Sequence, residues 1–95
     1  MARRGQPGVY AEYQRPIFVR RIGSTRVEWF GGVRAATSGS VTLFSRSGKG
    51  KFKPVGTATL NSRGYFDVHV RAPNARKRQF FFKSGKAKSI VVAAH

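Results

Sequence analysis

The stretch that decides the fold runs from residue 39 to residue 94, where short apolar alternations are separated by small, basic turns. It reads GSVTLFSR (39–46), KFKPVGTATL (51–60), YFDVHVRA (65–72), RKRQFFFK (76–83) and AKSIVVAA (87–94). In the third segment every second residue is apolar, which puts the apolar side chains on one face of a strand. No ten-residue window keeps a helical period, so the stretch predicts an all-β domain.

Two further β-prone segments precede it, PIFVRR (16–21) and RVEWFGGV (26–33). Val27, Trp29 and Val33 share one face by period two, so we expect Trp29 at the centre of the core. Gly31 and Gly32 indicate either a bulge or a close approach of the backbone. Seven short strands at this spacing predict an antiparallel immunoglobulin-like sandwich. A five-stranded oligonucleotide-binding barrel is the main competitor, but it needs two segments to merge and usually a helix.

The alternation also predicts which side chains face inward. Phe81 is expected on the outer face of its strand, and Pro54 puts the first half of its strand at a sheet edge. The expected inward-facing residues are Val41, Leu43, Phe66, Val68, Val70, Phe80, Phe82, Ile90 and Val92.

The length of 95 residues predicts one folded unit. We expect residues 1–15 to be a flexible basic arm and residues 16–95 to be the β-sandwich domain. The basic start of the chain lacks the apolar run of a secretory signal. The sequence also has no run of about 18 apolar residues, so we expect no membrane-spanning segment. The chain has no cysteine, which excludes disulfides and thiolate metal sites.

Charge is the exceptional property of this sequence. Its 19 Lys and Arg residues face only Glu12, Glu28 and Asp67, which gives a formal net charge of +16. Self-repulsion at such a charge destabilises the compact state and is relieved by salt or by an anionic partner. A GC-rich genome and a solvated surface are the alternative explanation, but the lack of compensating acids favours an anionic partner.

Five segments carry a resemblance to a known type of module: WFGGV (29–33), GSVTL (39–43), PVGTATL (54–60), GYF (64–66) and KAKSIVV (86–92). In these the chain resembles the immunoglobulin-like and fibronectin-III-like accessory modules of bacterial surface proteins and phage virions. It departs from them at Arg63, where an acid is usual, and at residues 79–82, where QFFF offers no tyrosine corner. The resemblance implies a binding, spacer or structural module at a cell surface or virion, and it transfers no functional residues. Without it, a cytoplasmic location is expected.

Tyr65, Asp67, His69 and Arg71 are expected on one outer strand face. An Asp–His pair two residues apart would orient an imidazole as a hydrolytic triad requires, but no nucleophile motif accompanies it. A polar face with an ion pair from Asp67 to Arg71, or to a cross-strand arginine, is the favoured interpretation. Two histidines and three scattered acids do not predict zinc or calcium binding. We therefore expect no enzyme, no catalytic residue, no metal and no cofactor.

The segments SGKGK (47–51) and SGKAK (84–88) look like a repeat. A phosphate-binding P-loop needs four residues between its glycines and then Gly-Lys-Ser/Thr at the start of a helix, which neither segment has. Both are better interpreted as glycine hairpin turns with lysine tips. Their backbone N–H groups can still meet a phosphate or a sulfate.

In an immunoglobulin-like strand order, the loops after the first, third and fifth strands share one end of the sandwich. That end is predicted to be strongly electropositive and to bind the anionic partner, through Arg20, Arg21, Arg26, Arg46, Lys49, Lys51, Lys53, Arg76, Lys77 and Arg78. The opposite end and its flanking strands hold fewer cations: Arg34, Arg63, Lys83, Lys86 and Lys88.

These features predict a non-enzymatic module that docks electrostatically onto an anionic surface, such as a cell-wall polymer, a capsid or an acidic protein. The alternative is a small basic nucleic-acid-binding protein, which would use phosphate contacts and stacking of bases on exposed rings. The candidate rings are Phe44, Phe52, Tyr65 and Phe81, although burial is favoured for Phe44 and Phe52. No motif of an RNA-recognition module, KH module, zinc finger or helix-turn-helix is present.

Overall fold

The computed structural model describes residues 15–95. The basic arm was predicted over residues 1–15, and all of it except Arg15 lies outside the described residues. The described part forms eight strands: β1 Ile17–Arg21, β2 Arg26–Gly32, β3 Ser40–Ser47, β4 Lys53–Thr59, β5 Tyr65–Arg71, β6 Arg78–Ser84, β7 Ala87–Lys88 and β8 Val92–Ala93. A single 3-10 turn, Ala75–Lys77, precedes β6. Within this part of the chain, no helix has the length and apolarity that crossing a membrane requires.

The strands form two antiparallel sheets in a sandwich-like arrangement. One sheet has three strands in the order β1-β2-β5, and the other has five, in the order β4-β3-β6-β7 with β8 also paired to β6. The prediction of an all-β, antiparallel architecture is therefore confirmed. The alternation in YFDVHVR is confirmed, because exposed side chains alternate with buried or half-buried ones from Tyr65 to Arg71.

The core lies between the two sheets and is centred on aromatic side chains. Trp29 of β2 is completely buried, and its ring meets Phe80 of β6 edge-on, with 5.2 Å between centroids. Phe66 of β5 makes the same kind of contact with Phe82, at 5.1 Å. Edge-to-face pairs of this kind add about 0.5–1.5 kcal/mol to the burial of apolar area. The expected central position of Trp29 is confirmed.

The strand count differs from the prediction of seven because the last predicted strand is interrupted. The partners Lys83–Lys88 and Phe80–Val92 show that β6 advances three residues while the facing segment advances four. The extra residue is a β-bulge at residues 89–91. Beside it, the N–H of Phe82 is bonded to the side-chain Oγ of Ser89, at 2.9 Å, and the segment continues as β7 and β8.

Pro54 lies where its chemistry predicts. The strand β4 is an edge strand, and its pairing with β3 shifts so that Leu43 faces Gly56 while Phe44 faces Pro54. The residue between them, Val55, has no partner in the register. Proline is tolerated in sheets at edges and bulges because it has no N–H to donate.

Gly31 marks a close approach of side chains, rather than the bulge or the close approach of the backbone raised by the sequence. The register of β2 runs without a shift along both of its neighbours. A Cβ atom at Gly31 would lie 2.7 Å from Cζ of Phe66 and 2.9 Å from Cε2 of Phe82. The absence of a side chain there makes room for the Phe66–Phe82 contact.

The final residue joins the two sheets. The N–H of His95 donates to the carbonyl of Val19 at 2.8 Å, and the carbonyl of His95 accepts from the N–H of Arg21 at 2.9 Å. These two bonds around Arg20 have the pattern of parallel pairing with β1. Because β8 pairs with β6 just before, the last segment is bonded to both sheets.

Candidate functional site

Three connections meet at one end of the sandwich: residues 22–25, 48–52 and 72–77. Backbone hydrogen bonds hold them together, since the N–H of Ala72 donates to Thr25 O at 2.7 Å and the N–H of Gly48 donates to Lys77 O at 3.0 Å. We call this end the basic pole. Its cationic side chains are those that line the cavities between these connections: Arg21, Arg46, Lys49, Lys51, Lys53, Arg76, Lys77 and Arg78.

Three adjoining cavities open at the basic pole. One of about 370 Å³ is lined by Arg21, Ser24, Asn74, Arg76 and Lys77, among others. A second cavity, of about 480 Å³, shares Arg76 and Lys77 with the first. It is also lined by three further cations, Arg46, Lys49 and Arg78. A third, of about 460 Å³, lies beside β4. None of the described residues that line these cavities is acidic.

Two arginines of the basic pole are held in place. Arg46 donates from Nε to Oε1 of Gln79 at 2.6 Å, and its guanidinium lies 4.6 Å from the centroid of the Phe52 ring. Arg78 donates from Nε to the carbonyl of Pro73 at 2.7 Å. Both side chains are partly buried, and both line the cavity beside β4. A guanidinium with five N–H donors keeps others available for an anion after one has bonded to the protein.

Arg76 and Lys77 point outward because of the turn that carries them. Asn74 adopts the left-handed conformation, with φ 57°, and begins the 3-10 turn. The N–H of Lys77 closes this turn on the carbonyl of Asn74 at 2.9 Å. Ala75 is buried, whereas the side chains of Arg76 and Lys77 are exposed. The turn thus presents two exposed cations beside the two hydrogen-bonded arginines.

Two of the ten predicted site residues, Arg20 and Arg26, do not line these cavities. Arg20 lies on the outer face of the three-stranded sheet, where its Nε is 2.7 Å from Oε1 of Glu28. Arg26 lies directly opposite Arg71, the last residue of β5. Arg71 was not among the predicted site residues. Its outward position followed from the alternation, but its cross-strand partner depends on the register.

Two acids and a histidine converge on the same outer face, although the sequence predicted scattered acids. Ligand atoms of Glu28, Asp67 and His69 lie within 4.8 Å of one another. The ion pair of this face joins Glu28 to Arg20 rather than Asp67 to Arg71. A metal ion would have to displace Arg20 from the Glu28 carboxylate.

The two carboxyl groups respond differently to this neighbourhood. The hydrogen bond from Arg20 holds the pKa of Glu28 below its ordinary value. Burial, followed by a hydrogen bond with Glu28 and the charge of that carboxylate, raises the pKa of Asp67. A proton between two adjacent carboxyl groups is more strongly held than one on an isolated carboxyl. The pKa values of these two neighbouring carboxyl groups are therefore shifted in opposite directions.

The aromatic residues of the five-stranded sheet cover one another on its outer face. Phe44 stacks on Phe81 with 4.9 Å between ring centroids, and Phe52 meets Phe81 edge-on at 4.8 Å. Phe81 faces outward as predicted, yet only 7% of it is exposed. Phe44 and Phe52 are half-buried, in keeping with the interpretation favoured from the sequence.

The exposed rings lie on the other sheet. Tyr65 is 42% exposed, as a candidate for stacking must be. Phe18 and Phe30, at 45% and 38%, were not predicted as exposed rings. The signal in the sequence is that Phe30 directly follows Trp29, which is expected in the core, and successive side chains of a strand point to opposite faces.

The opposite end of the sandwich carries fewer cations in its cavity. Arg34 and Arg63 line a space of about 310 Å³ together with Pro16, Val33 and Tyr65. Lys83 and Lys88 face each other across the β6–β7 pair, next to the turn that contains Lys86. Comparison with models of known protein families, with curated proteins and with solved structures gave no match for this chain.

Proposed function

We propose that this chain is a non-enzymatic binding or structural module that docks through the basic pole onto an anionic surface. The candidate surfaces are a cell-wall polymer, a capsid and an acidic protein partner. The observation that carries the proposal is the set of three adjoining cavities lined by arginine and lysine without an acid. Bringing anions into these cavities relieves the mutual repulsion of the cations that line them.

The basic pole combines hydrogen-bonded arginines with exposed lysines, and this combination supports the proposed function. Arg46 and Arg78 are already ordered by Gln79 and Pro73, so they lose little side-chain freedom when an anion binds. A planar guanidinium also binds phosphate or carboxylate oxygens in a bidentate manner. Lys49, Lys51 and Lys77 are exposed point charges on flexible stems. They adapt to an anionic surface whose charges are not regularly spaced.

We infer further that the fold is the seven-stranded immunoglobulin-like sandwich of accessory modules. If β7 and β8 are two halves of one strand interrupted at Ser89, the first, second and fifth strands form one sheet. The third, fourth, sixth and seventh then form the other. An immunoglobulin-like sandwich divides its strands between the two sheets in a similar way. Such a module would hold its partner at one pole and leave its faces for other contacts.

The test compares charge reversal at the two ends of the sandwich. Replacing Arg76, Lys77 and Arg78 by Glu is expected to weaken binding of inorganic polyphosphate at least about tenfold, measured by calorimetry at fixed salt. Because Arg78 also bonds to Pro73, a second variant, Lys49→Glu/Arg76→Glu/Lys77→Glu, changes only exposed side chains.

The matched control is Arg34→Glu/Arg63→Glu/Lys86→Glu, which alters the net charge by the same amount at the other end. It is expected to weaken binding much less than the variants at the basic pole. Equal losses from both ends would show that net charge alone attracts the polyanion, and the proposal for a binding pole would be rejected. A poly-glutamate probe in the same assay distinguishes a carboxylate surface from a phosphate polymer.

A further inference from the structure

The outer face of the three-stranded sheet holds a row of exposed aromatic rings. Phe18 lies directly opposite Phe30 in the β1–β2 register. The rings of Phe30 and Tyr65 stack at 5.6 Å, and those of Phe18 and His95 stack at 5.0 Å. On the five-stranded sheet, by contrast, the three outer rings close over one another. Within the described chain, the three-stranded sheet is therefore the one that presents its outer rings to solvent.

Cationic groups lie on both sides of these exposed rings. The strand register gives four successive rows across the face, in the order Arg26–Arg71, then Arg20–Glu28–His69, then Phe18–Phe30–Asp67, then Gly32–Tyr65. Beyond the last row, Arg34 and Arg63 share a cavity with Tyr65. Rows on one face of a sheet follow each other at about 7 Å, so the four rows extend over about 20 Å.

The first row contains an electrostatic conflict. Arg26 and Arg71 are both exposed and directly opposite each other, and like charges in this position destabilise a strand pair. No described carboxylate shares that row. A phosphate between the two guanidinium groups would turn the repulsion into two charge-assisted contacts. Glu28, in the next row, does not cancel this effect, because its carboxylate is already bonded to Arg20.

We propose that a single-stranded nucleic acid binds along the outer face of the three-stranded sheet. Its bases stack on Phe18, Phe30 and Tyr65, and its phosphates contact Arg26 and Arg71 at one end and Arg63 at the other. The face has room for about three nucleotides at the spacing of its rows. Base stacking on aromatic side chains is tolerant of sequence, so the binding is expected to show little sequence preference.

The inference goes beyond docking at the basic pole, because it uses another face and requires bases rather than charge alone. A polyanion without bases gains nothing from the rings. This difference separates the two sites experimentally.

The experiment measures fluorescence anisotropy with two labelled probes, a twelve-nucleotide oligothymidine and an abasic strand with the same number of phosphates. The unaltered chain is expected to bind the oligothymidine at least about fivefold more tightly, since bases gain affinity by stacking on aromatic side chains. The variant Phe18→Leu/Phe30→Leu keeps apolar volume but removes two of the three rings. It is expected to lose most of this preference and to bind the abasic strand as before.

The matched control is Val55→Ala/Val91→Ala, which changes two side chains of similar exposure outside this face. It is expected to bind both probes like the unaltered chain. The variant Arg76→Glu/Lys77→Glu/Arg78→Glu is expected to lower binding of both probes alike, so failure of the basic pole is distinguishable from failure of this face. Circular dichroism checks that each variant is folded.

Three results would overturn the inference. The first is equal affinity of the unaltered chain for the two probes, and the second is unchanged oligothymidine binding by Phe18→Leu/Phe30→Leu. The third is sedimentation showing that the chain forms a dimer that this variant abolishes, which would assign the rings to a second copy of the chain.

Discussion

Ser89 pairs with Phe82 through both its backbone and its side chain. The N–H of Ser89 donates to the carbonyl of Phe82 at 2.8 Å, while the N–H of Phe82 donates to Oγ of Ser89 at 2.9 Å. The same hydroxyl donates onward to the carbonyl of Ile90 at 3.0 Å. One side chain thus satisfies the backbone groups that the interruption between β7 and β8 would otherwise leave unpaired.

Replacing Ser89 by Ala should destabilise the fold by about 1–3 kcal/mol, because the buried N–H of Phe82 loses its acceptor. The chain offers a matched control in Ser45, which is equally buried but whose hydroxyl has no partner among the described residues. Ser45→Ala should be neutral or slightly stabilising. Urea unfolding followed by Trp29 fluorescence measures both. Equal effects of the two substitutions would contradict the role assigned to the Ser89 hydroxyl.

Gly31→Ala should cost about 1–3 kcal/mol of stability through overpacking, because the new methyl group would collide with Phe66 and Phe82. Gly56→Ala, on the edge strand β4, meets nothing within 4 Å and should change stability little. Chemical denaturation of the two variants gives the comparison. If Gly31→Ala is as stable as Gly56→Ala, the Phe66–Phe82 contact is more yielding than its geometry indicates.

The strands could be predicted because their side chains alternate. Phe66, Val68 and Val70 fix the face of β5 without any knowledge of its neighbours. The interruption of the last strand could not be predicted, because it depends on a hydroxyl meeting a backbone N–H from another strand. Ser89 lies within the alternating segment 87–94, and nothing in that segment indicates a change of register.

The sequence could predict only those site residues whose position follows from the loop that carries them. Arg76 and Lys77 follow from the position of their loop between two strands. Arg71 and the meeting of Glu28 with Asp67 depend on the β2–β5 register, which a single sequence does not specify. The same holds for Phe30, because its positions relative to Phe18 and Tyr65 depend on the registers of β2 with β1 and β5.

The Glu28–Asp67 pair should make stability depend on pH in two opposite ways. The pKa of Asp67 is raised above its ordinary 3.8, so its contribution favours folding at low pH and is lost as pH rises through the folded-state value. The pKa of Glu28 is lowered below its ordinary 4.5, so its contribution is present above that pH and is lost as pH falls through the folded-state value.

Asp67→Asn should therefore stabilise the fold relative to the unaltered chain near neutral pH, and this advantage should disappear in acid. Glu28→Gln should destabilise it near neutral pH, with the difference again vanishing in acid. Thermal unfolding at a series of pH values measures both variants. A pH-independent effect of Asp67→Asn would show that its carboxyl group does not titrate against Glu28.

The net charge of +16 predicts that salt stabilises the fold. Raising NaCl from about 20 mM to about 300 mM shortens the Debye length from about 20 Å to below 10 Å, which screens the repulsion between cations of the basic pole. The Tm should rise over this range, and polyphosphate should raise it further at low salt because it binds the folded state. A Tm that falls as salt is added would contradict the importance of self-repulsion.

The two bonds between His95 and β1 join residues that are at least 74 positions apart, which is the separation of Arg21 and His95. Closing a loop of that length costs entropy before any contact repays it, and pairings between distant residues slow the folding of β proteins. The hairpin between β3 and β4 is closed by a short turn, so its formation does not require the closure of a long loop. We therefore expect β1 to pair with the segment at His95 only after the other strands have paired, so that these two segments come together last.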